Sequence, residues 1–266
     1  SLLNYGVRDL SEKGLTRVQA APMASDIHFD YGYRGKADFP FSRRGGVNGT
    51  AINVGFAGDH RPDPANWAEL TDPSFAYVPY VPKGEEKIKV PAWLNDPIYY
   101  HNRGDTTFAG ESSLDGDFAG LDDLLTEDPV VVQGMIDVFG GWIDKYGIDG
   151  FRIDTARHVN PEFWQAFIPA MLERARARGI PNFHIFGEVY DPDPAVTARF
   201  TRVDAYPAVL DFPFQKTAVE VASGKTGTDA LARLFAADAI YAKGAETAAV
   251  LPTFLGNHDM GRVGFF

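Results

Sequence analysis

After residue 128, short apolar segments alternate with amphipathic helical segments, and this alternation leaves few folds open to the chain. Strands are predicted at 150–154, 183–188 and 205–212, and a further apolar run covers 248–255. Because strands separated by helices of this size pair in parallel, the pattern predicts an α/β fold.

Two of the predicted helices carry clear start and stop signals. The first begins at Asp128-Pro129 and ends at Gly147, and the second begins at Asn160-Pro161 and ends at Gly179. The predicted apolar face of the first helix comprises Val131, Met135, Val138, Trp142 and Tyr146. That of the second comprises Trp164, Phe167, Ile168, Met171 and Ala175. A third helix is predicted at 229–242.

The first 125 residues differ in composition from the rest. They are dense in Gly, Pro, Asn, Asp and aromatic residues, which predicts long irregular loops with short strands. We therefore expect a loop-rich inserted region at 1–125 and a region at 126–266 that carries the chemistry. Most aromatic residues of the loop region belong in a local core, and one or two are expected to contact a ligand. The candidates are Tyr31, Tyr33, Phe39, Phe41, Trp67, Trp93, Tyr99 and Tyr100.

Composition excludes several function classes. The 266 residues are 45% apolar, which is enough for a sizeable core, and they include no cysteine, which excludes disulfides, thiolate metal sites and a cysteine nucleophile. A net charge of -11 argues against a nucleic-acid partner, and a neutral ligand such as a carbohydrate fits better. No apolar run reaches the roughly 18 residues that a membrane span requires.

Three of the apolar segments run into an acidic residue at or just beyond their carboxyl ends. The acids are Asp154, Glu188 and Asp259. Side chains at the carboxyl ends of parallel strands converge on one cleft, where neighbouring carboxylates repel each other and one keeps its proton near neutral pH. Glycoside hydrolysis needs such a set, because one carboxylate attacks or supports the anomeric carbon while a protonated partner donates to the leaving oxygen.

Each acid also has a purely structural interpretation. Asp154 and Arg152 lie on the same strand face and could form only a buried ion pair, Glu188 could cap the next turn, and Asp259 could lie on a surface loop. Their similar placement on successive strands favours a shared functional cleft over three separate structural roles.

Three motifs resemble the α-amylase family, glycoside hydrolase family 13. Residues 150–158, 187–189 and 254–259 are similar, in order and spacing, to the second, third and fourth sequence regions of that family, and 118–124 resembles its shorter fifth region. The resemblance implies a (β/α)8 TIM barrel, present here in part as barrel strands four to seven, with the loop-rich region inserted before them.

The resemblance also implies roles for individual residues. Asp154 matches the nucleophile, Glu188 the general acid and base, and Asp259 the third acid, which supports the transition state. Arg152 and His258 match groups that orient the nucleophile and bind sugar, while Arg157, His158 and Tyr190 would line the leaving-group side. A retaining mechanism of this kind places the Asp154 and Glu188 carboxyls about 5 to 6 Å apart.

The sequence departs from the family pattern in one respect. The family's first sequence region, which carries an Asn-His pair at the end of the third barrel strand, is not present. We therefore expect the chain to be part of a longer polypeptide and the isolated segment to be inactive or poorly active. The chemistry implied by the resemblance requires no cofactor. A structural calcium would be bound by Asp123, with Asp122 as an alternative, and by the backbone carbonyl of His158.

The resemblance thus implies a retaining glycoside hydrolase that acts on α-glucosidic bonds of starch-like α-glucans or maltooligosaccharides. The alternatives are an α-glucan transglycosylase with the same acids, a non-catalytic amylase-like interaction protein and a metal-dependent phosphoester hydrolase. We expect no nucleic-acid or membrane partner. The compartment is left open by the lack of cysteine, and a secreted or periplasmic location is favoured over a cytoplasmic one.

Overall fold

The computed structural model describes the second half of the chain and parts of the first. The described residues are 43–44, 50–51, 55, 64–69, 83–101, 106, 108, 112–118 and 121–265. The chain divides into two compact units, Ser1–Val131 and Val132–Phe266, which are treated separately below. The boundary that the sequence predicts, between residues 125 and 126, stays a prediction.

The first unit contains short elements in its described part. Strand β1 (Arg43–Arg44) pairs antiparallel with β2 (Thr50–Ala51), and the helices are α1 (Pro64–Ala68) and α2 (Ser112–Asp115). Two 3-10 turns cover Ala92–Asn95 and Pro97–Tyr99. Such short elements are typical of a Gly- and Pro-rich sequence.

The aromatic candidates of this unit divide into three groups. Tyr31, Tyr33, Phe39 and Phe41 lie outside the described residues, as does the side chain of Trp67. Tyr100 is fully buried, and its hydroxyl donates a hydrogen bond to the carbonyl of Leu94, so it is a core residue. Trp93 packs edge-to-face against Tyr99 at 6.0 Å between ring centroids.

The second unit is built on a parallel sheet of three strands in its described part. The strands are β3 (Gly150–Ile153), β4 (His184–Gly187) and β5 (Ala208–Val209), in the order β3-β4-β5. Ile153 pairs with Gly187, and Gly187 pairs with Val209, so the strand ends are level. The parallel arrangement confirms the predicted α/β class.

Helices alternate with these strands. They are α3 (Pro129–Tyr146), α4 (Pro161–Arg178), α5 (Pro194–Arg202), α6 (Phe212–Ala222), α7 (Asp229–Ala236) and α8 (Ala245–Ala248). The helix predicted at 229–242 is shorter than expected, because α7 ends at Ala236 and a 3-10 turn follows at Asp238–Ile240.

Helix α4 confirms the sequence prediction in both its ends and its apolar face. Pro161 occupies its first turn, and Gly179 ends it in the left-handed conformation at φ 86°. Its predicted apolar residues are all buried in the core of this unit. Burial of a large apolar side chain stabilises a fold by about 1.5–3 kcal/mol, so this face is a main anchor of the sheet.

For helix α3, the ends were predicted correctly and the buried face only in part, since Val131 is fully buried and Met135 packs on the core. The helix starts after Asp128, whose carboxylate accepts a hydrogen bond from the Val130 amide, and Gly147 follows it at φ 62°. Trp142 and Tyr146, however, are half exposed and stack on each other at 5.1 Å. The face that packs on the core is rotated and comprises Val132, Met135, Ile136, Phe139 and Ile143. The helix is apolar on two adjacent faces, so periodicity alone did not distinguish them.

The apolar run 248–255 does not form the expected seventh barrel strand. It begins in the last turn of α8 and continues as irregular backbone, although the Asp211 amide donates a hydrogen bond to the Pro252 carbonyl at 3.1 Å. Pro252 has no amide hydrogen to return to a ladder, and a proline disfavours regular pairing at this point.

Among the residues that the structure describes, no helix has the length and apolar character required to cross a lipid bilayer.

A buried carboxylate lies at the end of α5. Asp204 is only 1% exposed, and Arg199 Nη1 approaches its carboxylate oxygens at 3.3 and 3.4 Å. Burial raises the pKa of Asp204 to about 6, and the charge of Glu162 adds to this effect, while Arg199 opposes it. The folded protein therefore binds this proton more tightly than the unfolded chain, whose aspartate has a pKa of about 3.9.

Replacement of Asp204 should change how stability depends on pH. Because the pKa is raised on folding, the free energy of unfolding should fall as pH rises from about 4 to about 6, by roughly 3 kcal/mol. In Asp204→Asn this component should disappear, as measured by chemical denaturation at several pH values. The exposed control Asp149→Asn should keep the slope of the parent protein. An Asp204→Asn variant with the parent's slope would contradict the assignment.

Candidate active site

The register of the parallel sheet brings two carboxylates together. Ile153 pairs with Gly187, and the ladder continues with the Glu188 amide donating to the Ile153 carbonyl at 2.8 Å. Asp154 and Glu188 are the next residues on β3 and β4, so both emerge at the same end of the sheet. The sequence prediction that these strand ends converge is borne out by this geometry.

One guanidinium connects the two carboxylates. Arg152 Nη1 donates a hydrogen bond to Asp154 Oδ1, and Arg152 Nη2 lies 3.2 Å from Glu188 Oε1. An Arg152–Asp154 ion pair exists, but it is not the buried pair of the structural interpretation, because the two side chains are 35% and 67% exposed. The ion pair also extends to Glu188, so the group is a three-residue cluster that joins two strands.

The Asp154 and Glu188 carboxyls differ in solvent exposure. The side chain of Asp154 is 67% exposed, whereas that of Glu188 is 10% exposed. Burial raises the pKa of Glu188, and the Asp154 charge and hydrogen bond raise it further, against the Thr155 amide and Arg152. Burial also acts to raise the pKa of Asp154, but hydrogen bonds from Arg152 and Glu188 lower it below its usual range.

The two carboxyls therefore differ in proton affinity. The pKa of Glu188 is raised and that of Asp154 is lowered, so a proton bound by the pair is favoured on Glu188. A protonated carboxyl beside an ionised one supplies an acid and a nucleophile at the same site.

The third acid lies on the loop after the apolar run 248–255. Asp259 Oδ2 is 3.3 Å from His258 Nε2, and the Asp259 amide donates to Asn257 Oδ1. Burial acts to lower the pKa of Arg152. Asp154, Glu188 and Asp259 act to raise it and outweigh burial, so the pKa is raised. The charge of His258 helps to lower the pKa of Asp154. Asp259 and His258 thus act electrostatically on the Arg152 cluster.

The remaining predicted residues lie around the turn that follows β3 and the loop that follows β4. Arg157 Nη1 donates to the carbonyl of Tyr190 at 2.9 Å and lies 3.6 Å from Asp191 Oδ2. The Tyr190 ring packs at 4.7 Å from Phe212 and is half exposed. His158 closes the 3-10 turn Ala156–His158, and its amide donates to the Thr155 carbonyl. A substrate-binding role for Arg157, His158 and Tyr190 stays a prediction.

Thr155 is a site residue that sequence reasoning missed. Its backbone is left-handed, at φ 49° and ψ 34°, and its amide donates to Glu188 Oε2 at 3.2 Å. Left-handed backbone is uncommon for a β-branched residue. The sequence carries no signal for it, because a glycine, which would mark such a turn, is not used.

Asp123, one of the residues expected to bind calcium, contacts a histidine. In the first unit, His101 is fully buried, with Nδ1 2.7 Å from Asp123 Oδ2 and Nε2 2.9 Å from Glu127 Oε2. One oxygen of the Asp123 carboxylate, Oδ2, is thus already hydrogen-bonded to the His101 imidazole. Within the described part of the chain, no group of three or more His, Asp or Glu side chains is arranged to hold a metal ion. We therefore derive no step through calcium, and the predicted pairing of Asp123 with the His158 carbonyl stays a prediction.

Residues 77–266 match the family model for the α-amylase catalytic domain. An α-amylase from Streptomyces lividans is 43% identical over 236 residues, which is 89% of this chain and 25% of that protein. A β/α-amylase from Paenibacillus polymyxa is 31% identical over 170 residues, 62% of this chain and 13% of that protein. The chain therefore spans a quarter or less of these curated relatives.

Solved structures show the same fold. An Anoxybacillus α-amylase superposes with a TM-score of 0.56 at 32% identity, covering 64% of this chain and 37% of that one. The α-amylase of Geobacillus thermoleovorans, solved in complex with acarbose, has a TM-score of 0.56 at 27% identity and covers 69% and 39%. Together with the parallel sheet, these matches confirm the predicted TIM-barrel type of fold, present in part.

Proposed function

This chain belongs to the α-amylase catalytic-domain family, and from that premise we propose that it is the catalytic segment of a retaining glycoside hydrolase that cleaves α-glucosidic bonds. Its substrates are starch-like α-glucans or maltooligosaccharides. The observation that carries the proposal is the pair of carboxyls with opposite pKa shifts, Asp154 and Glu188, which share Arg152 at the carboxyl ends of adjacent strands.

The first half-reaction uses both carboxyls at once. Asp154, ionised and exposed, attacks the anomeric carbon while Glu188 donates its proton to the leaving glycosidic oxygen. The bond to the leaving sugar breaks as an ester forms between Asp154 and the anomeric carbon. Arg152 keeps Asp154 ionised and oriented through a charge-assisted hydrogen bond.

The second half-reaction returns both groups to their starting state. Glu188, now ionised, takes a proton from water, and the resulting hydroxide attacks the anomeric carbon and releases Asp154. The contact of both carboxylates with the one Arg152 guanidinium supports this route. A retaining pair lies about 5–5.5 Å apart, whereas an inverting pair lies about 6.5–9.5 Å apart to admit water. Asp259 and His258 bind sugar hydroxyls in this proposal.

The carboxyls supply both the proton and the nucleophile, so the proposed steps use no metal or organic cofactor. We further propose that this segment works as part of a longer polypeptide. The short span of the chain relative to the two curated relatives supports that proposal.

Removal of each carboxyl should give a different substrate profile in the full-length polypeptide. Glu188→Gln should lower kcat on maltooligosaccharides roughly 10²–10⁴-fold, because the leaving sugar is no longer protonated. The same variant should still release fluoride from an α-maltosyl fluoride, whose leaving group needs no proton. Asp154→Asn should lose both reactions, and the exposed control Glu173→Gln should keep both. Full glucan hydrolysis by Asp154→Asn would refute the proposal.

Loss of Arg152 should move the pH profile. The rate falls at acidic pH when Asp154 is protonated and at alkaline pH when Glu188 loses its proton. Because Arg152 lowers the pKa of both groups, Arg152→Gln should shift both limbs of kcat/KM to higher pH. Limbs that stay in place would show that Arg152 does not set the ionisation of the pair.

The products should identify the acceptor of the second step. If water is the acceptor, incubation with a single maltooligosaccharide should yield only shorter sugars on chromatography. Accumulation of longer oligosaccharides would instead identify the protein as a transglycosylase with the same acids.

A further inference from the structure

The turn after β3 holds Glu188 through both its backbone and its side chain. The Ala156 amide donates to the Glu188 carbonyl at 3.0 Å, and the Glu188 amide donates to the Ile153 carbonyl at 2.8 Å. The Thr155 amide donates to Glu188 Oε2 at 3.2 Å. The position of the Glu188 carboxyl therefore depends on the conformation of residues 155 and 156.

That conformation is not one that the turn would adopt by itself. Thr155 lies in the left-handed region at φ 49°, which is strained for a non-glycine residue. Such a backbone persists only where its surroundings hold it. The groups that contact the turn therefore determine whether its amide points at Glu188.

The main polar contact of the turn comes from helix α4. Trp164 is 4% exposed, and its indole Nε1 donates to the Ala156 carbonyl at 3.0 Å. Ala156 itself is fully buried, so this carbonyl has little access to water. A buried carbonyl that loses its donor carries a desolvation penalty, and the turn would shift to recover a partner.

Gly187, the residue before Glu188, is closely surrounded by other atoms. A Cβ placed on Gly187 would lie 2.9 Å from the Ala156 Cβ and 2.8 Å from Tyr206 Cε1. The Tyr206 ring in turn packs on Trp164 at 5.1 Å between centroids. Trp164, Tyr206 and Ala156 thus enclose the end of β4, and a movement of the turn is transmitted to Glu188.

We propose that Trp164 is a positioning residue for the general acid and base, acting through the Ala156 carbonyl to hold the Thr155 amide against Glu188. This inference rests on the proposed function of Glu188. In this role, Trp164 does not contact the reacting atoms.

The test is Trp164→Phe in the full-length polypeptide, which keeps an aromatic ring and removes the indole donor. The expected result is a fall of roughly tenfold in kcat/KM on maltooligosaccharides, since small misplacement of a reacting group has effects of this size or larger. The kcat/KM for α-maltosyl fluoride should change less than twofold, because its first step does not need the proton of Glu188. The alkaline limb for maltooligosaccharides should move to higher pH, because the Thr155 amide lowers the pKa of Glu188.

The matched control is Met171→Ala on the same helix. Met171 is fully buried in the same core. Met171→Ala should lower thermal stability without changing the ratio of kcat/KM for the two substrates or the alkaline limb. Equal losses on both substrates in Trp164→Phe, or an unchanged alkaline limb, would overturn the inference and leave Trp164 a core residue.

A second variant keeps the test decisive if Trp164→Phe does not fold. Ala156→Gly retains the carbonyl but loosens the turn and removes the methyl group that lies against Gly187. It should give the same difference in kcat/KM between the two substrates and the same shift of the alkaline limb. The absence of these effects would overturn the inference. Failure of the proposed function is distinguishable, because Glu188→Gln would then lose activity on both substrates equally or on neither.

Discussion

The shared contact of Arg152 with Asp154 and Glu188 is the interaction on which the site depends. It exists because Ile153 and Gly187 are paired in a parallel register, which makes the next residue on each strand a neighbour. A slip of one residue would turn the side chains to the other face of the sheet and separate the cluster. The helices that cover the sheet, above all α4, hold this register in place by burying their apolar faces.

The cluster gains its chemistry from unequal burial. Two neighbouring carboxyls with equal solvation would share a proton without a fixed preference for either group. Here one is exposed and the other is enclosed by the turn after β3 and the side chains that pack on it. Burial raises the pKa of the enclosed Glu188, whereas the pKa of the exposed Asp154 is lowered, against burial, by its hydrogen bond with Arg152. Family membership and this division lead to the same proposed reaction from independent observations.

Local sequence signals were reliable where one signal had one structural meaning. The start, end and apolar face of α4 were predicted correctly, because proline, glycine and a single apolar stripe agree. Helix α3 has two apolar faces, so its buried side depended on what packs against it, and Trp142 and Tyr146 are exposed. The apolar run 248–255 has strand-like composition, but it contains a proline and is not paired as a strand in the described part of the chain.

The sequence by itself determined the α/β class, the order of the motifs and the identity of the acids near the strand ends, because these depend on residue type and short-range spacing. Only the tertiary structure decided which carboxyl has the raised pKa, that Thr155 is left-handed and that Trp164 reaches the Ala156 carbonyl. Those properties arise from burial and from hydrogen bonds such as that between Thr155 and Glu188, which lie 33 positions apart. No local pattern encodes contacts over that separation, since they form only when the strands are packed side by side.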